Sequence, residues 1–358
     1  MAKRERVVAA MSGGVDSAVA AALLVEAGYE VIGVTMRLYE QRRGERRAKS
    51  CCGVDDFDDA RRSAAAIGIK HYVVDFKEAF RREVVDRFAD EYVQGRTPNP
   101  CVLCNNHLKL GTLWRYAKQL GGSKVATGHY ARLRQGADGP HLLRAVDLGK
   151  DQSYALAQLD RAQLASLILP LGDHEKSHTR ELAARFGMPV HDKPESQDIC
   201  FVEGGDYRDI VRELRPQAQV PGAIVSSGGE RLGDHDGVLS YTVGQRRRLP
   251  ANAGGDGPWY VTRIDPATNT VVVGREDELA ASGLEADAVN LIRTLPKRVL
   301  AMPRYRAQLA PAEAALIDGR LRLRFDQPLR AITPGQLVVI YAEDGQEVLG
   351  GATIARAL

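Results

Sequence analysis

The sequence predicts an α/β protein: a parallel sheet covered by helices, then a small β-rich central domain, then a C-terminal β-barrel. Three observations carry this. Short apolar runs alternate with helix-periodic stretches in the first half; after about Gly205 the runs shorten and are separated by Gly, Asp, Asn and Pro; from about Ala286 onward β-type runs dominate. A β-α-β-α order argues for a parallel sheet with helices on both faces. Such sheets place ligands at the carboxyl ends of their strands. The expected boundaries are residues 1–205, 206–278 and 279–358.

The elements follow in order. Arg6 to Ala10 is short and apolar, like a buried strand, and Ser17 to Ala27 has the Ala/Leu/Val content of a packed helix. Glu30 to Met36 and Lys70 to Asp75 read as strands, with Phe57 to Ile67 helical between them. Lys77 to Gln94 reads as one long amphipathic helix, with Phe80, Val84, Phe88 and Tyr92 on a single stripe. Lys124 to Thr127 is another strand. Further on, Ala223 to Val225, Trp259 to Ile264, Thr270 to Val273, Leu321 to Phe325 and Leu337 to Tyr341 have β character.

At 358 residues the chain needs two or three domains, and 44% hydrophobic residues suffice for a core without disulfide staples. Five cysteines, Cys51, Cys52, Cys101, Cys104 and Cys200, make a poor disulfide framework. A net charge of +3 permits a nucleic-acid partner without demanding one. Two basic runs, Arg42, Arg43, Arg46, Arg47 with Lys49, and Arg246, Arg247 with Arg248, are either solvated faces or RNA contacts. The N-terminus runs straight into a strand, and no apolar stretch is long enough for a bilayer. The expectation is a cytoplasmic protein with reduced thiols and no membrane partner.

Directly after the first strand comes Ser12-Gly13-Gly14-Val15-Asp16-Ser17, followed by a helix. Glycines let the backbone turn tightly, and the helix start points free N–H groups outward. That is an anion site, although the Gly-Lys-Ser/Thr ending of a Walker A loop is missing. The string resembles the pyrophosphate loop of the N-type ATP pyrophosphatases, which split ATP between the α and β phosphates and adenylate a carbonyl oxygen.

Thr97-Pro98-Asn99-Pro100-Cys101-Val102-Leu103-Cys104-Asn105 follows the long helix. Two prolines make a rigid entry to the next helix, which would set Cys104 near its N-terminus, where the dipole favours thiolate. A third thiol lies in Ser196-Gln197-Asp198-Ile199-Cys200-Phe201. Cys101, Cys104 and His107 also have the spacing of a structural zinc site that Cys200 could complete. Cys51 and Cys52 are adjacent and poorly placed to hold one ion together; the sequence assigns them no role.

With these strings the chain resembles, over nearly its whole length, the bacterial tRNA-specific 2-thiouridylases. Gly128-His129-Tyr130, Lys150-Asp151-Gln152-Ser153-Tyr154, Tyr241-Thr242-Val243-Gly244-Gln245-Arg246 and Thr333-Pro334-Gly335-Gln336 complete the set, and their shared order makes the resemblance specific. It implies an N-type ATP pyrophosphatase domain followed by two tRNA-contacting β modules. It implies ATP with Mg²⁺ as cofactors, activation of the C2 oxygen of the wobble uridine, and displacement of AMP by sulfur. By motif, Ala10, Met11, Ser12, Gly13, Gly14, Val15, Asp16, Ser17, Met36 and Gly128 correspond to the ATP site. Cys200 corresponds to the persulfide carrier and Cys104 to its catalytic partner, the two forming a disulfide in an alternate state. Asn99, Pro100 and Cys101 correspond to the target-base site, and His129, Lys150, Asp151, Gln152, Arg304, Tyr305 and Gln336 to tRNA contacts. The implied partners are tRNAs of the Glu, Gln and Lys type, and a cysteine desulfurase or sulfur-carrier protein as donor.

The chemistry matches the residue types. A uridine carbonyl oxygen leaves poorly, so adenylation substitutes AMP as leaving group, while backbone N–H groups and Mg²⁺ stabilise departing pyrophosphate. The base must leave its anticodon stack to enter. Two departures stand out: Cys101 where the best-known family pattern has Asp, although a branch of the family has Cys there, and Arg248 where the pattern has Gly after a double Arg. Cys101 adds a third soft ligand, so Cys101, Cys104 and Cys200 are also candidate ligands of a 4Fe-4S cluster holding hydrosulfide. Arg248 is expected to alter a local turn.

Overall fold

The computed structural model describes residues 4–39, 54–194, 199–202, 205–250 and 257–358. Arg42, Arg43, Arg46, Arg47, Lys49, Cys51, Cys52 and the Ser196-Gln197-Asp198 string therefore lie outside the described residues. The chain divides into two compact units, Met1–Val85 with Pro100–Gly205 and Asp86–Asn99 with Asp206–Leu358.

In chain order the elements begin with β1 (Arg6–Ala10), α1 (Val15–Glu26), β2 (Glu30–Arg37), α2 (Val54–Ala66) and β3 (Lys70–Asp75). A helical stretch follows as α3 (Lys77–Phe80), a π-helical turn over Arg81–Asp86, and α4 (Arg87–Val93). Another runs from α5 (Pro100–Leu103) through a π-helical segment, Cys104–Leu113, to α6 (Trp114–Gln119). Then come β4 (Lys124–Ala126), the hairpin β5 (Ala131–Gly136) and β6 (Gly139–Arg144), α7 (Ser153–Leu156), α8 (Arg161–Ala165), β7 (Leu167–Ile168) and α9 (Lys176–Arg185).

In the first unit five parallel strands are ordered β3-β2-β1-β4-β7. The order reverses between β1 and β4, so the crevice beyond their carboxyl ends is where such a sheet receives a ligand. Period-2 alternation gives β1 two faces: Val8 joins the core with Ile32, Val34 and Leu108, and Val7 and Ala9 join the core with Leu24 and Val31. The Ala-rich α1 can lie close to the sheet, and fully burying Val19 or Leu24 contributes roughly 1.5–3 kcal/mol each. It ends in a Schellman turn: Gly28 N–H donates to the Val25 carbonyl and Tyr29 N–H to the Leu24 carbonyl, with Gly28 at φ 88°.

In the second unit α10 (Tyr207–Leu214) precedes a four-stranded sheet of β8 (Gly222–Ser226), β9 (Arg231–His235), β10 (Tyr260–Asp265) and β11 (Thr270–Gly274), ordered β10-β11-β8-β9. The last six strands are β12 (Ala280–Leu291), β13 (Arg298–Met302), β14 (Ala310–Ile317), β15 (Arg320–Arg330), β16 (Leu337–Tyr341) and β17 (Glu347–Ala357). They pair antiparallel in the order β12-β15-β14-β13-β16-β17, and β12 pairing with β17 closes the barrel. Alternation along β15 sends Leu321, Leu323 and Phe325 into the barrel core and Arg320, Arg322 and Arg324 outward.

The stripe expected on one long helix is divided between two cores. Phe80 and Val84 pack with the first unit's sheet, whereas in the second unit Phe88 meets Tyr207 edge-on and Tyr92 stacks on it. The π-helical turn over Arg81–Asp86 lies at this change, where the compact units divide at Val85.

Candidate active site

Ser12 to Gly14 leave the end of β1 and lead into α1. Gly14 is the N-cap, in an extended conformation (φ −96°, ψ 163°), and no side chain among the described residues caps it. The first turn of α1 therefore has no side-chain cap among the described residues, which is the arrangement an anion site at a helix start uses. Ser17 Oγ organises the turn from inside, accepting from Ser12 N–H at 3.0 Å and donating to the Gly14 carbonyl at 3.0 Å. Gly13 must be glycine twice over: its φ is 77°, and a Cβ there would stand 2.3 Å from the Asp56 carbonyl oxygen of α2. Gly128, just past β4, is as constrained, since a Cβ would meet the Asp16 carbonyl carbon and the Ser17 nitrogen at 2.7 Å. The expected Gly128 thus lies against the backbone of the loop, as the β1–β4 reversal requires.

Two lysines that no motif marked hold this loop. Lys176, at the start of α9 and 8% exposed, donates to Asp16 Oδ1 at 2.5 Å, and Tyr130 Oη donates to the same oxygen at 3.0 Å. Lys193 donates to the Gly13 carbonyl at 3.1 Å, to Asp56 Oδ1 at 2.5 Å and to Asp59 Oδ2 at 2.6 Å. Burial opposes the Lys193 charge, but its bonds to Asp56 and Asp59 outweigh it and hold the ammonium above its ordinary value. No spacing rule links residues this far apart in sequence, so only the fold reveals them.

The thiols lie beside the same sheet. Cys104, Cys200, Met36 and Ala10 all pack against the apolar core containing Val8, Val34 and Leu108. Phe201 is anchored edge-on to Phe80 at 5.7 Å, which fixes the chain next to Cys200. The helix begins one turn earlier than expected: Pro100 opens it, so Cys101 occupies the first turn and Cys104 starts the π-helical segment. Pro100 is preorganised for a first helical position. The dipole effect, which fades within the first turn, therefore bears on exposed Cys101 more than on partly buried Cys104. Among the described residues no group of three or more His, Cys, Asp or Glu side chains is gathered to hold a metal ion. Cys101, Cys104 and Cys200 thus do not form a three-thiolate ligand set here, nor do Cys101, Cys104, His107 and Cys200 form a zinc site. Exposed Cys101 and partly buried Cys104 differ in setting despite their three-residue spacing.

The residues expected at tRNA divide by environment. His129 is buried, with Nδ1 2.8 Å from Thr127 Oγ1; burial first, and the nearby Lys109 charge second, hold it well below the usual imidazole range. It is a neutral group at physiological pH. Asp151 accepts from Ala145 N–H, Ser153 N–H, Ser153 Oγ and Arg144 Nε at 2.9–3.2 Å, so it fastens the turn before α7. Gln152 is paired to Tyr130 through both backbone and side chain, and Lys150 is partly exposed in the same turn.

Within the second unit, Thr97 N–H donates to the Pro334 carbonyl at 2.8 Å and Gln336 Nε2 to the Thr97 carbonyl at 2.7 Å. Gln336 therefore fastens the segment that carries Pro98 and partly exposed Asn99. Arg304, Tyr305 and Arg306 are exposed on the β13–β14 turn, with the Arg306 guanidinium 5.3 Å from the Tyr305 ring. On the barrel's outer wall Arg320, Arg322 and Arg356 converge on Glu285 at 2.8, 3.1 and 3.3 Å. Those three bonds push the Glu285 carboxyl down to about 2 and leave the patch net positive.

The fold and loop define an α/β unit with a glycine-rich turn between its first strand and first helix, followed in the chain by β modules. The profile of the tRNA methyl transferase HUP domain matches residues 5–204, that of the tRNA methyl transferase PRC-barrel domain residues 208–275, and that of the aminomethyltransferase beta-barrel domain residues 281–354. Curated relatives named tRNA-specific 2-thiouridylase MnmA include that of Geobacter metallireducens, 47% identical over 99% of this chain and 98% of the relative. Those of Moorella thermoacetica (48%, over 96% and 98%) and Clostridioides difficile (44%, over all of both chains) are similar. The chain belongs to the tRNA-specific 2-thiouridylase family.

Proposed function

We propose that this chain uses ATP to replace the C2 oxygen of the wobble uridine of tRNA by sulfur. The observation that carries it is that Met36, Cys104 and Cys200 pack against the same core as Val8 and Ala10 of β1, the strand that runs into the phosphate loop. The N–H groups of the loop bind the pyrophosphate moiety, and the uridine C2 oxygen attacks the α phosphate, releasing pyrophosphate. Magnesium, when bound, would offset phosphate charge and needs only one or two carboxylates besides the phosphates; Asp16, whose Oδ1 is held by Lys176, is the carboxylate in the loop that would supply one.

The terminal sulfur of a Cys200 persulfide then attacks C2, and the C2–O bond breaks with AMP as leaving group. Cys104 thiolate attacks Cys200 Sγ, breaking the persulfide S–S bond. A Cys104–Cys200 disulfide forms and the bond electrons remain on the sulfur at C2. A dithiol reductant reopens the disulfide, and a cysteine desulfurase or sulfur carrier reloads Cys200. Since Cys101, Cys104 and Cys200 do not gather as a ligand set, the relay is preferred to a 4Fe-4S route.

Asn99, Pro100 and Cys101 would border the flipped base. Lys150, the Arg304–Tyr305 turn and the arginines around Glu285 would meet phosphates and stacked bases of tRNAs of the Glu, Gln and Lys type. In this reading residues 1–205 adenylate, residues 206–278 and 279–358 hold tRNA, and the reaction belongs in the cytoplasm. Among the described residues no helix is long and apolar enough to cross a membrane.

The test is a set of single variants assayed with persulfide donor and unmodified tRNA. Cys200→Ser and Cys104→Ser should abolish 2-thiouridine while retaining ATP binding, and Cys101→Ser should keep substantial activity. Aerobic thiolation surviving in Cys200→Ser would refute the relay.

A further inference from the structure

A Ser-Gly-Gly loop binds an anion only if its peptides face the right way. A trans peptide is planar, so its C=O and the following N–H point in opposite directions. The Gly13–Gly14 peptide is flanked by two residues without Cβ, and it can turn over at little cost. Turned over, it would offer the pyrophosphate a carbonyl oxygen in place of an N–H.

Lys193 bears directly on this choice. Its ammonium takes the Gly13 carbonyl at 3.1 Å. That ammonium is itself fixed by Asp56 at 2.5 Å and Asp59 at 2.6 Å, carboxylates whose side chains are only 7% and 13% exposed. Arg62 holds Asp59 in turn, at 2.5 Å. With the carbonyl drawn toward Lys193, the Gly14 N–H points away from it. We propose that Lys193 is a positioning residue that locks the Gly13–Gly14 peptide with the Gly14 N–H turned to the pyrophosphate of ATP. This rests on the ATP reading above and names the group that preorganises its donor.

The lock makes a prediction that a general structural role does not. Gly14 has an extended conformation that alanine also adopts, and a Cβ there meets only Ser12 Oγ, at 3.6 Å. Turning the peptide over would carry Gly14 to positive φ, which alanine disfavours by about fivefold to thirtyfold. Gly14→Ala should therefore oppose the flip even without Lys193.

The experiment uses the full chain with α,β-methylene-ATP and magnesium, read by calorimetry, and AMP formation with tRNA. Lys193→Met should weaken analogue binding at least tenfold and slow AMP formation about a hundredfold, the scale of removing one preorganised donor. Lys193→Arg should recover part of both. In a Gly14→Ala background the Lys193→Met loss should shrink by fivefold or more. Asp59→Asn, which loosens Lys193 without removing it, should move binding in the same direction as Lys193→Met and serves if that variant does not fold. A crystal structure of Lys193→Met, or of Asp59→Asn in its place, should show the Gly13 carbonyl turned over in part or whole, and it decides the matter if Gly14→Ala alone blocks binding. An undiminished loss in a binding-competent Gly14→Ala background, or a Gly13 carbonyl unmoved in that crystal, would overturn the lock. Failure of the wild-type protein to bind the analogue would overturn the ATP reading itself, and the lock with it.

Discussion

Gly128→Ala probes the join between β4 and the phosphate loop. The added Cβ would stand 2.7 Å from both the Asp16 carbonyl carbon and the Ser17 nitrogen, and 2.9 Å from the Asp16 oxygen. All three are backbone atoms, so no rotamer change relieves the contact. Reaching ordinary van der Waals distance, 3.4 Å, needs a shift of ~0.7 Å in either the start of α1 or the chain leaving β4. Overpacking of this kind costs about 1–3 kcal/mol. A displacement near 1 Å in a reacting constellation costs about a hundredfold in rate. The variant should therefore lose roughly thirtyfold to a hundredfold in kcat/KM for ATP, measured by tRNA-dependent pyrophosphate release, along with a lower unfolding midpoint. Gly28→Ala supplies the control: φ there is 88° with nothing within 4 Å of the new Cβ. It should lose about 1–2 kcal/mol of stability and little activity. A Gly128→Ala enzyme within threefold of wild type would show that this contact does not position the loop.

Three further outcomes follow from single sites. Arg248 sits at φ 65° with only a 3.9 Å approach to Asp206. Arg248→Gly should therefore raise stability by roughly 1 kcal/mol in urea unfolding, and a loss would show that its side chain matters more than its backbone. Burial holds the folded His129 below its unfolded value near 6.5. The stability this represents is complete above about pH 6.5 and lost as pH falls below it, at up to about 1.4 kcal/mol per pH unit. His129→Asn should flatten that part of the stability profile between pH 7.5 and 5.5, and an unchanged slope would refute it. Arg320→Gln with Arg356→Gln leaves Arg322 to pair with Glu285. The double variant should make the salt dependence of tRNA binding shallower by about 0.7–0.9 for each phosphate that is no longer neutralised, and an identical slope would remove the barrel wall from the tRNA interface.

Local signals were legible where they are local in cause. The strand at Lys70–Asp75 and the strand–loop–helix at residues 6–26 are set by apolar runs and glycines within a few residues of each other. Arg248 has a φ of 65°, a conformation that glycine adopts more readily than arginine. The division of Phe80 and Val84 from Phe88 and Tyr92 was not legible, because one helical stripe looks the same whether one core or two receive it. Pro100 could have placed Cys101, not Cys104, in the first turn, since proline suits the first helical position. The π-helical pairing from Cys104 onward has no comparable mark. Lys176 and Lys193 were invisible for a different reason: each meets its partners across more than 130 residues of chain, and a lysine near a helix or proline has many solvated alternatives. The motif around Asp151 reads as an RNA contact, and its carboxylate also accepts hydrogen bonds from Ala145, Ser153 and Arg144, a structural role that the motif did not mark.

The central claim is that ATP activates the C2 oxygen of uridine so that sulfur can displace it. Unmodified tRNA carrying ¹⁸O at C2 of the wobble uridine, incubated with the enzyme, ATP, magnesium and a persulfide donor, tests it directly by mass spectrometry of nucleosides and nucleotides. The account predicts 2-thiouridine and AMP in equal amounts, with the ¹⁸O label in AMP. Label appearing in water with unlabelled AMP, or no 2-thiouridine at all, would contradict it.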